Sequence, residues 1–212
     1  MRNEYLRQLK LVRKKCIEMG EMLHRQIEGA ISAYRNRDLD LAQEVIEQDR
    51  EVNEKEKEIE NLCIRLLLLQ QPMAHDLREV SAALKMITDM ERIGDQAADI
   101  AELTEDIHNF SIKALDQAVV EMSKMAQQMV DQTMQAYEEE SVEIAKSVVA
   151  SDDALDKKFD ALKESVSYVI QEKTEVSHDA LDYLMIGKHL EKIGDYTVNV
   201  AKRCQWLAEA KR

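Results

Sequence analysis

The sequence predicts an all-α protein of six long helices forming two tandem, pseudo-symmetric three-helix bundles. Three observations carry that prediction. One Pro and five Gly in 212 residues leave almost no turn chemistry for a sheet-rich fold. Glu, Lys, Ala, Leu, Met and Gln dominate, and these residues lose little side-chain freedom in a helix. The second half of the chain also repeats the first.

A first helix spans roughly Asn3 to Arg35, after which Asp38 reads as the N-cap of the next. The second helix reaches about Leu69 and carries Leu41, Val45, Val52, Ile59, Leu62, Leu66 and Leu69 at heptad-like spacing. QQP breaks it, and Pro72 suits the first turn of a third helix. That helix carries Leu77, Val80, Leu84, Ile87, Met90 and Ile93 and is expected to run to about His108. HNFSIKA divides the halves, giving domains 1–109 and 110–212. A fourth helix runs from about Ile112 to Glu139. A fifth starts near Ser141 with Ile144, Val148, Leu155, Phe159, Leu162, Val166 and Val169. After EKTEVSHD, a sixth runs from about Ser177 to the end. Helices of about 30 residues make a bundle about 45 Å long. Short connections imply antiparallel neighbours. Each half could bury only a modest core alone, so the halves are expected to pack together.

The repeat is direct. AISAYRNRDLDLAQEVIEQDREVN aligns with TMQAYEEESVEIAKSVVASDDALD at an offset of 103, matching Asp49 to Asp152 and Asn53 to Asp156. LKMITDMERIGDQAADIAE aligns with LMIGKHLEKIGDYTVNVAK at an offset of 100. There Glu91, Ile93, Gly94 and Asp95 meet Glu191, Ile193, Gly194 and Asp195. The change of offset falls between the second and third helices, where a loop absorbs it.

The net charge of −13 repels phosphate, whether free or in a nucleic-acid backbone, and attracts multivalent cations. Nucleic acid is therefore not an expected partner. Cys16, Cys63 and Cys204 are odd in number, far apart in sequence and without a C-x-x-C, so they read as reduced cytosolic thiols. The N-terminal MRNEYLRQLKLVRKK is no signal peptide, and the apolar stretch Leu66 to Leu69 is too short to span a bilayer. Membrane association is expected to be peripheral, through a partner.

The repeated segment violates helix propensity twice. Glu91, Asp95 and Asp99 stand at i, i+4 and i+8, and Glu191, Asp195 and Asn199 repeat them. Like charges four apart cost an isolated helix a few tenths of a kcal/mol, about as much as an opposite pair gains. Gly94 and Gly194 each add about 1 kcal/mol relative to Ala. Such conflicts are expected at functional sites. A cation would relieve the repulsion, and oxygen ligands suit Mg²⁺, Mn²⁺, Ca²⁺ or iron. Asp49 with Asn53 and Asp152 with Asp156 are further i, i+4 pairs, on the second and fifth helices. Against this, solvated acidic faces are common in a chain with 42 acids, and the glycines also suit close helix packing alone. Arg92 and Lys192 read as solvated or salt-bridging residues, and His189 as surface or a peripheral ligand.

Glu21/His24, Glu105/His108 and Glu175/His178 have the Glu-x-x-His spacing of di-iron bundles, but none falls in repeat register. No glycine-rich phosphate loop, G-x-S-x-G or H-E-x-x-H occurs, so no enzyme is expected. The eleven Met residues, among them Met73, Met86, Met90, Met122, Met125 and Met129, read mostly as core filler.

QQPMAHDLR followed by DMERIGDQAADIA, then HLEKIGDYTVNVA one repeat later, resembles the duplicated signature of the PhoU family of phosphate-transport regulators. The resemblance implies two three-helix bundles bearing pairs of E(D)-x-x-x-D motifs that hold metal, singly or as multinuclear clusters. By position these are Asp49/Asn53 with Glu91/Asp95, and Asp152/Asp156 with Glu191/Asp195, flanked by Asp99 and Asn199. The cations so implied are iron, manganese, magnesium or zinc. Asn53 and Asn199 each remove one negative ligand, which sets the two sites apart. The resemblance also implies a cytoplasmic, homodimeric negative regulator of phosphate uptake and phosphate-starvation signalling. Its expected partners are the ATPase subunit of a phosphate transporter and a sensor histidine kinase.

Overall fold

The computed structural model describes residues 2–69, 74–104 and 112–210. Six helices follow in order: α1 (Arg2–Asn36), α2 (Leu39–Leu69), α3 (Ala74–Glu102), α4 (Lys113–Glu139), α5 (Val142–Glu172) and α6 (Ser177–Glu209). A single 3₁₀ turn, Thr174–Val176, leads into α6. No strand occurs among the described residues.

The two tight turns are built alike. Arg37 (φ 56°) and the repeat-equivalent Glu140 (φ 54°) each take the left-handed conformation that ends a helix. The amides of the next residues, Asp38 and Ser141, reach back to the carbonyls of Ala33 and Ala136 at 2.9 and 3.0 Å. Both of these residues then cap the following helix. Asp38 Oδ1 accepts from the Leu41 amide at 3.0 Å, and Ser141 Oγ from the Ile144 amide at 3.2 Å. One correction concerns the third helix, which was expected to reach His108. It ends at Glu102, where the Thr104 amide bonds the Ala101 carbonyl three residues back and tightens the last turn. The expected role of Pro72, and the Glu105/His108 pair, lie outside the described residues.

Within each half, three helices bury matching stripes. Val45, Val52 and Ile59 of α2 point inward, as do their repeat equivalents Val148, Leu155 and Leu162 of α5. Burying each such side chain is worth about 1.5–3 kcal/mol. Across the α1·α2 groove, Lys55 pairs with Glu18 at 3.0 Å and Lys15 with Glu58 at 2.7 Å, an antiparallel register. The three thiols are free and buried in the core.

The halves join along two seams, α1·α4 and α3·α6. Gly20 of α1 makes room for Met134 of α4; a Cβ there would stand 2.3 Å from Met134 Cγ. Nearby, the Arg13 guanidinium bonds Glu79 of α3 at 2.8 Å and Glu140 at 2.6 Å, with Tyr137 beneath it at 5.2 Å. In the second seam, Arg78 covers Trp206, Arg92 covers Tyr196, and Asp99 meets His189, so α3 and α6 run antiparallel. The contacts of Asp89 with Asn199 and of Asp99 with His189 are images of one another under the repeat. The seam therefore carries the pseudo-twofold axis.

Filling the α1·α4 seam should loosen the union of the halves. Gly20→Val is expected to lower the unfolding free energy by about 1–3 kcal/mol in urea titration, with helical content retained.

Candidate metal centre

Each groove between a second and third helix gathers carboxylates. Gly94 lets α3 approach α2 closely: a Cβ there would stand 3.2 Å from Asp49 Oδ1, 3.1 Å from Val52 Cγ1 and 3.2 Å from Gln26 Oε1. Gly194 does the same in the second half, with Asp152 Oδ1 at 3.1 Å and Leu155 Cδ2 at 2.6 Å. The low helix surface thus becomes a cradle whose far wall is an aspartate in both copies.

In the first groove Glu91 and Asp95 of α3 face Asp49, Asn53 and Glu56 of α2. Burial raises the pKa of Asp49, Glu91 and Asp95, and neighbouring charges add to it: Asp99 on Asp49, Asp95, Glu56 and Asp49 on Glu91, and Asp49, Asp99 and Glu56 on Asp95. Asn53 Nδ2 donates to Asp49 Oδ2 at 2.9 Å, and Thr88 Oγ1 donates to Glu56 at 3.3 Å. In the second groove burial and the charges of Asp156, Asp195, Asp153 and Glu191 push Asp152 up to about 6. Asp156 is raised for the same reasons. Here lysines intervene. Lys188 bonds Glu191 at 2.6 Å, and Lys192 bonds Asp195 and lies 3.6 Å from Glu191.

Asp99 and Asn199 turn toward the α3·α6 seam. Asp99 lies 3.5 Å from His189 and accepts from Gln96 at 3.3 Å, although its charge still reaches Asp49 and Asp95. Asn199 donates to Asp89. His189 is a seam residue rather than a surface one: Nδ1 lies 3.1 Å from Gln96 Oε1, and burial lowers its pKa. Arg92 reaches Asp89 at 3.5 Å. Of the Glu-x-x-His pairs, His24 contacts Asp131 across the α1·α4 seam at 2.9 Å, and Glu175 and His178 sit at the start of α6. The described ones do not converge.

Asp49 Oδ1, Asn53 Oδ1 and Asp152 Oδ1 are buried without a hydrogen-bond partner. Such orphaned oxygens fit a hard cation. Among the described residues no three His, Cys, Asp or Glu side chains converge on one point as oriented. The donors therefore fit a cation in kind and in groove, and side-chain rotation has to complete the set. Two contributors carried little sequence signal. Gln26 is fully buried on the apolar stripe of α1, and Lys188 has Thr88 as its repeat equivalent.

A family model described as the PhoU domain matches residues 16–104 and 119–204. A phosphate-specific transport system accessory protein PhoU homolog from Clostridium acetobutylicum is 29% identical over 205 residues, covering 96% of this chain and 94% of that protein. One from Pseudomonas aeruginosa is 30% identical over 202 residues, covering 94% and 83%. The crystal structure of PhoU from Pseudomonas aeruginosa superposes with a TM-score of 0.89 at 27% identity, over 97% of this chain and 99% of that one. The phosphate transport system regulatory protein PhoU from Streptococcus pneumoniae gives the same TM-score at 24% identity, over 98% of each, and speaks to the fold.

The raised carboxylates set a pH dependence. A folded-state pKa for Asp152 of about 6, above its unfolded value of 3.8, makes the protonated form the one that folding favours. Stability of the metal-free protein should thus fall as pH rises through this window. Asp152→Asn is expected to flatten that slope in thermal melts between pH 4.5 and 7 (about the span of the titration).

Proposed function

The chain belongs to the PhoU family, and we propose that it is a regulatory accessory protein of phosphate transport, working by binding partners rather than by catalysis. The observation that carries this reading is its likeness, over nearly its whole length, to accessory proteins of the phosphate-specific transport system. The fold supports a binding role. Among the described residues no helix is long and apolar enough to cross a membrane, so contact with a transporter falls to exposed helix faces.

In this reading the protein restrains phosphate uptake and starvation signalling from the cytoplasm, as a homodimer. It does so by linking the transporter's ATPase subunit to a sensor histidine kinase. The acidic grooves supply the control point. Asp49, Asn53, Glu91 and Asp95 in one half, and Asp152, Asp156, Glu191 and Asp195 in the other, hold hard cations such as manganese, magnesium or iron. A bound cation supplies positive charge that turns a repulsive surface into a docking one. The raised carboxylates support this, because a divalent ion removes the repulsion that burial alone cannot.

Metal and partner binding can be tested together. Elemental analysis of the purified protein should find divalent or trivalent metal. Chelation should then lower the melting temperature by several degrees, as loss of about 2.7 kcal/mol at a hundred-fold excess over Kd implies for a chain of this size. Pull-down of the transporter ATPase subunit and of the kinase should weaken at least ten-fold (about 1.4 kcal/mol) in the variant Glu91→Ala/Asp95→Ala/Glu191→Ala/Asp195→Ala. Unchanged partner binding in a metal-free variant would count against the control point. Failure of the wild type to bind either partner would count against the adaptor role.

A further inference from the structure

The two grooves descend from one repeated sequence. Asp156 in the second, where the first has Asn53, is offset in charge by Phe159, where the first has Glu56. Their surroundings differ in two further ways that bear on how they meet a cation. In the first groove Gln26, fully buried on α1, aims its carboxamide at the cradle above Gly94, with Oε1 3.2 Å from the Cβ position there. Its amide lies close enough to Asp49 to counter part of the burial effect on that carboxylate. Neither Gln26 Oε1 nor Nε2 completes a well-formed hydrogen bond, and Asp49 Oδ1 and Asn53 Oδ1 beside it are likewise unsatisfied. Gln26 Oε1 and Asp49 Oδ1 both stand 3.2 Å from that Cβ position, and Asn53, one turn further along α2, adds another unsatisfied oxygen to the wall. Side-chain carbonyls are ordinary ligands of hard cations. The repeat puts Met129 at the equivalent of Gln26, so the second groove has no such oxygen from α4.

The second difference is charge. In the second groove Lys188 and Lys192 sit on Glu191 and Asp195. The residues equivalent to these lysines are Thr88 and Arg92. Thr88 is neutral and bonds Glu56, while Arg92 leans across the seam over Tyr196 and pairs with Asp89 of its own helix. Arg92 lowers the pKa of Glu91 and Asp95 only as the least of the effects on them. Among the described residues neither Glu91 nor Asp95 is in an ion pair. One groove thus carries its own counter-ions, and the other is left with bare carboxylates and an aimed amide.

We infer that the first groove, completed by Gln26, is the tighter site for a divalent cation, and that Lys188 and Lys192 hold the second as an internal counter-charge which the cation must displace. This rests on the metal reading above and gives its two halves different thresholds. As cation rises the first groove fills, and the second fills only after its lysines swing out.

Calorimetric titration with Mn²⁺ alone, checked by the electron paramagnetic resonance of bound Mn²⁺, reads each groove separately. Glu191→Gln/Asp195→Asn leaves the first groove and Glu91→Gln/Asp95→Asn leaves the second. The first is expected to bind about ten-fold more tightly, since two partly exposed ion pairs have to be broken in the second. Gln26→Met, which copies the other half, should weaken the first groove several-fold and leave the second unchanged. Lys188→Gln/Lys192→Gln should tighten the second groove about three- to ten-fold. Circular dichroism melts establish that each variant is folded before its titration is read. Equal affinities in the two single-groove variants, or a Gln26→Met protein that binds as the wild type does, would overturn the asymmetry while leaving the metal reading in place. A wild-type protein that binds no Mn²⁺ in either groove would overturn both.

Discussion

The close approach of α3 to α2 at Gly94, repeated by α6 on α5 at Gly194, is the constraint on which the rest of the molecule turns. Without a Cβ, each third helix settles against an aspartate of the second, at 3.1–3.2 Å from where the Cβ would be. That contact buries one carboxylate edge and brings a row of others beside it, raising their pKa values. Packing and repulsion are therefore coupled. Drawing the helices together to bury Val52 or Leu155 also concentrates negative charge. The glycines cost about 1 kcal/mol each in helix propensity, and the buried charge adds to that. What offsets these costs is an apolar core that runs through both halves.

The fold was legible because its signals are local. Heptad spacing, the Asp38 cap and sparse punctuation placed five helices within a few residues; Asp38 caps as its position suggests, and Ser141 does the same at the start of α5. The end of α3 was not legible. The sequence after Glu102 contains neither Gly nor Pro before Asn109, so the pattern reads as continuous helix. The termination is instead a backbone event, the tightened turn at Thr104. The acidic grooves were legible through duplication, since two copies of one odd motif outweigh one. Asp99 and Asn199 show where spacing arguments run out. A residue eight positions on lies about 80° around the helix from the first, enough to swing it from groove to seam. Gln26 left no mark, because a single polar residue on an apolar stripe has no periodicity of its own.

Symmetry and its breaking have separate homes in this chain. The seam preserves the repeat, with Asp89 and Asn199 mirrored by His189 and Asp99 about the axis between α3 and α6. The residues there differ between the halves, His189 for Asp89 and Asn199 for Asp99, but each pair still meets because each half is the other's packing surface. The grooves lie away from the axis, where no such matching is imposed. Thr88 and Lys188, Gln26 and Met129, and Asn53 and Asp156 have all diverged there. A duplicated protein that kept both grooves identical would respond to a cation in one step. Divergence in the grooves would, in the proposed reading, separate the two responses, while the seam residues have diverged only into pairs that still meet.

With a net charge of −13 the protein is poorly suited to meet phosphate itself in the regulatory role proposed for it, because its own field opposes the anion. What such a field attracts is cations and basic partners, and in the proposed reading both meet the same carboxylates. A partner presenting lysine or arginine to either groove would compete with metal for Glu91 and Asp95, or with Lys188 and Lys192 for Glu191 and Asp195. A partner presenting carboxylates or phosphates would need the metal as a bridge. The sign of the metal dependence of docking therefore identifies the charge of the docked surface. In the proposed reading the phosphate signal reaches this protein through a cation or a partner in either case, and the carboxylates at Gly94 and Gly194 read it.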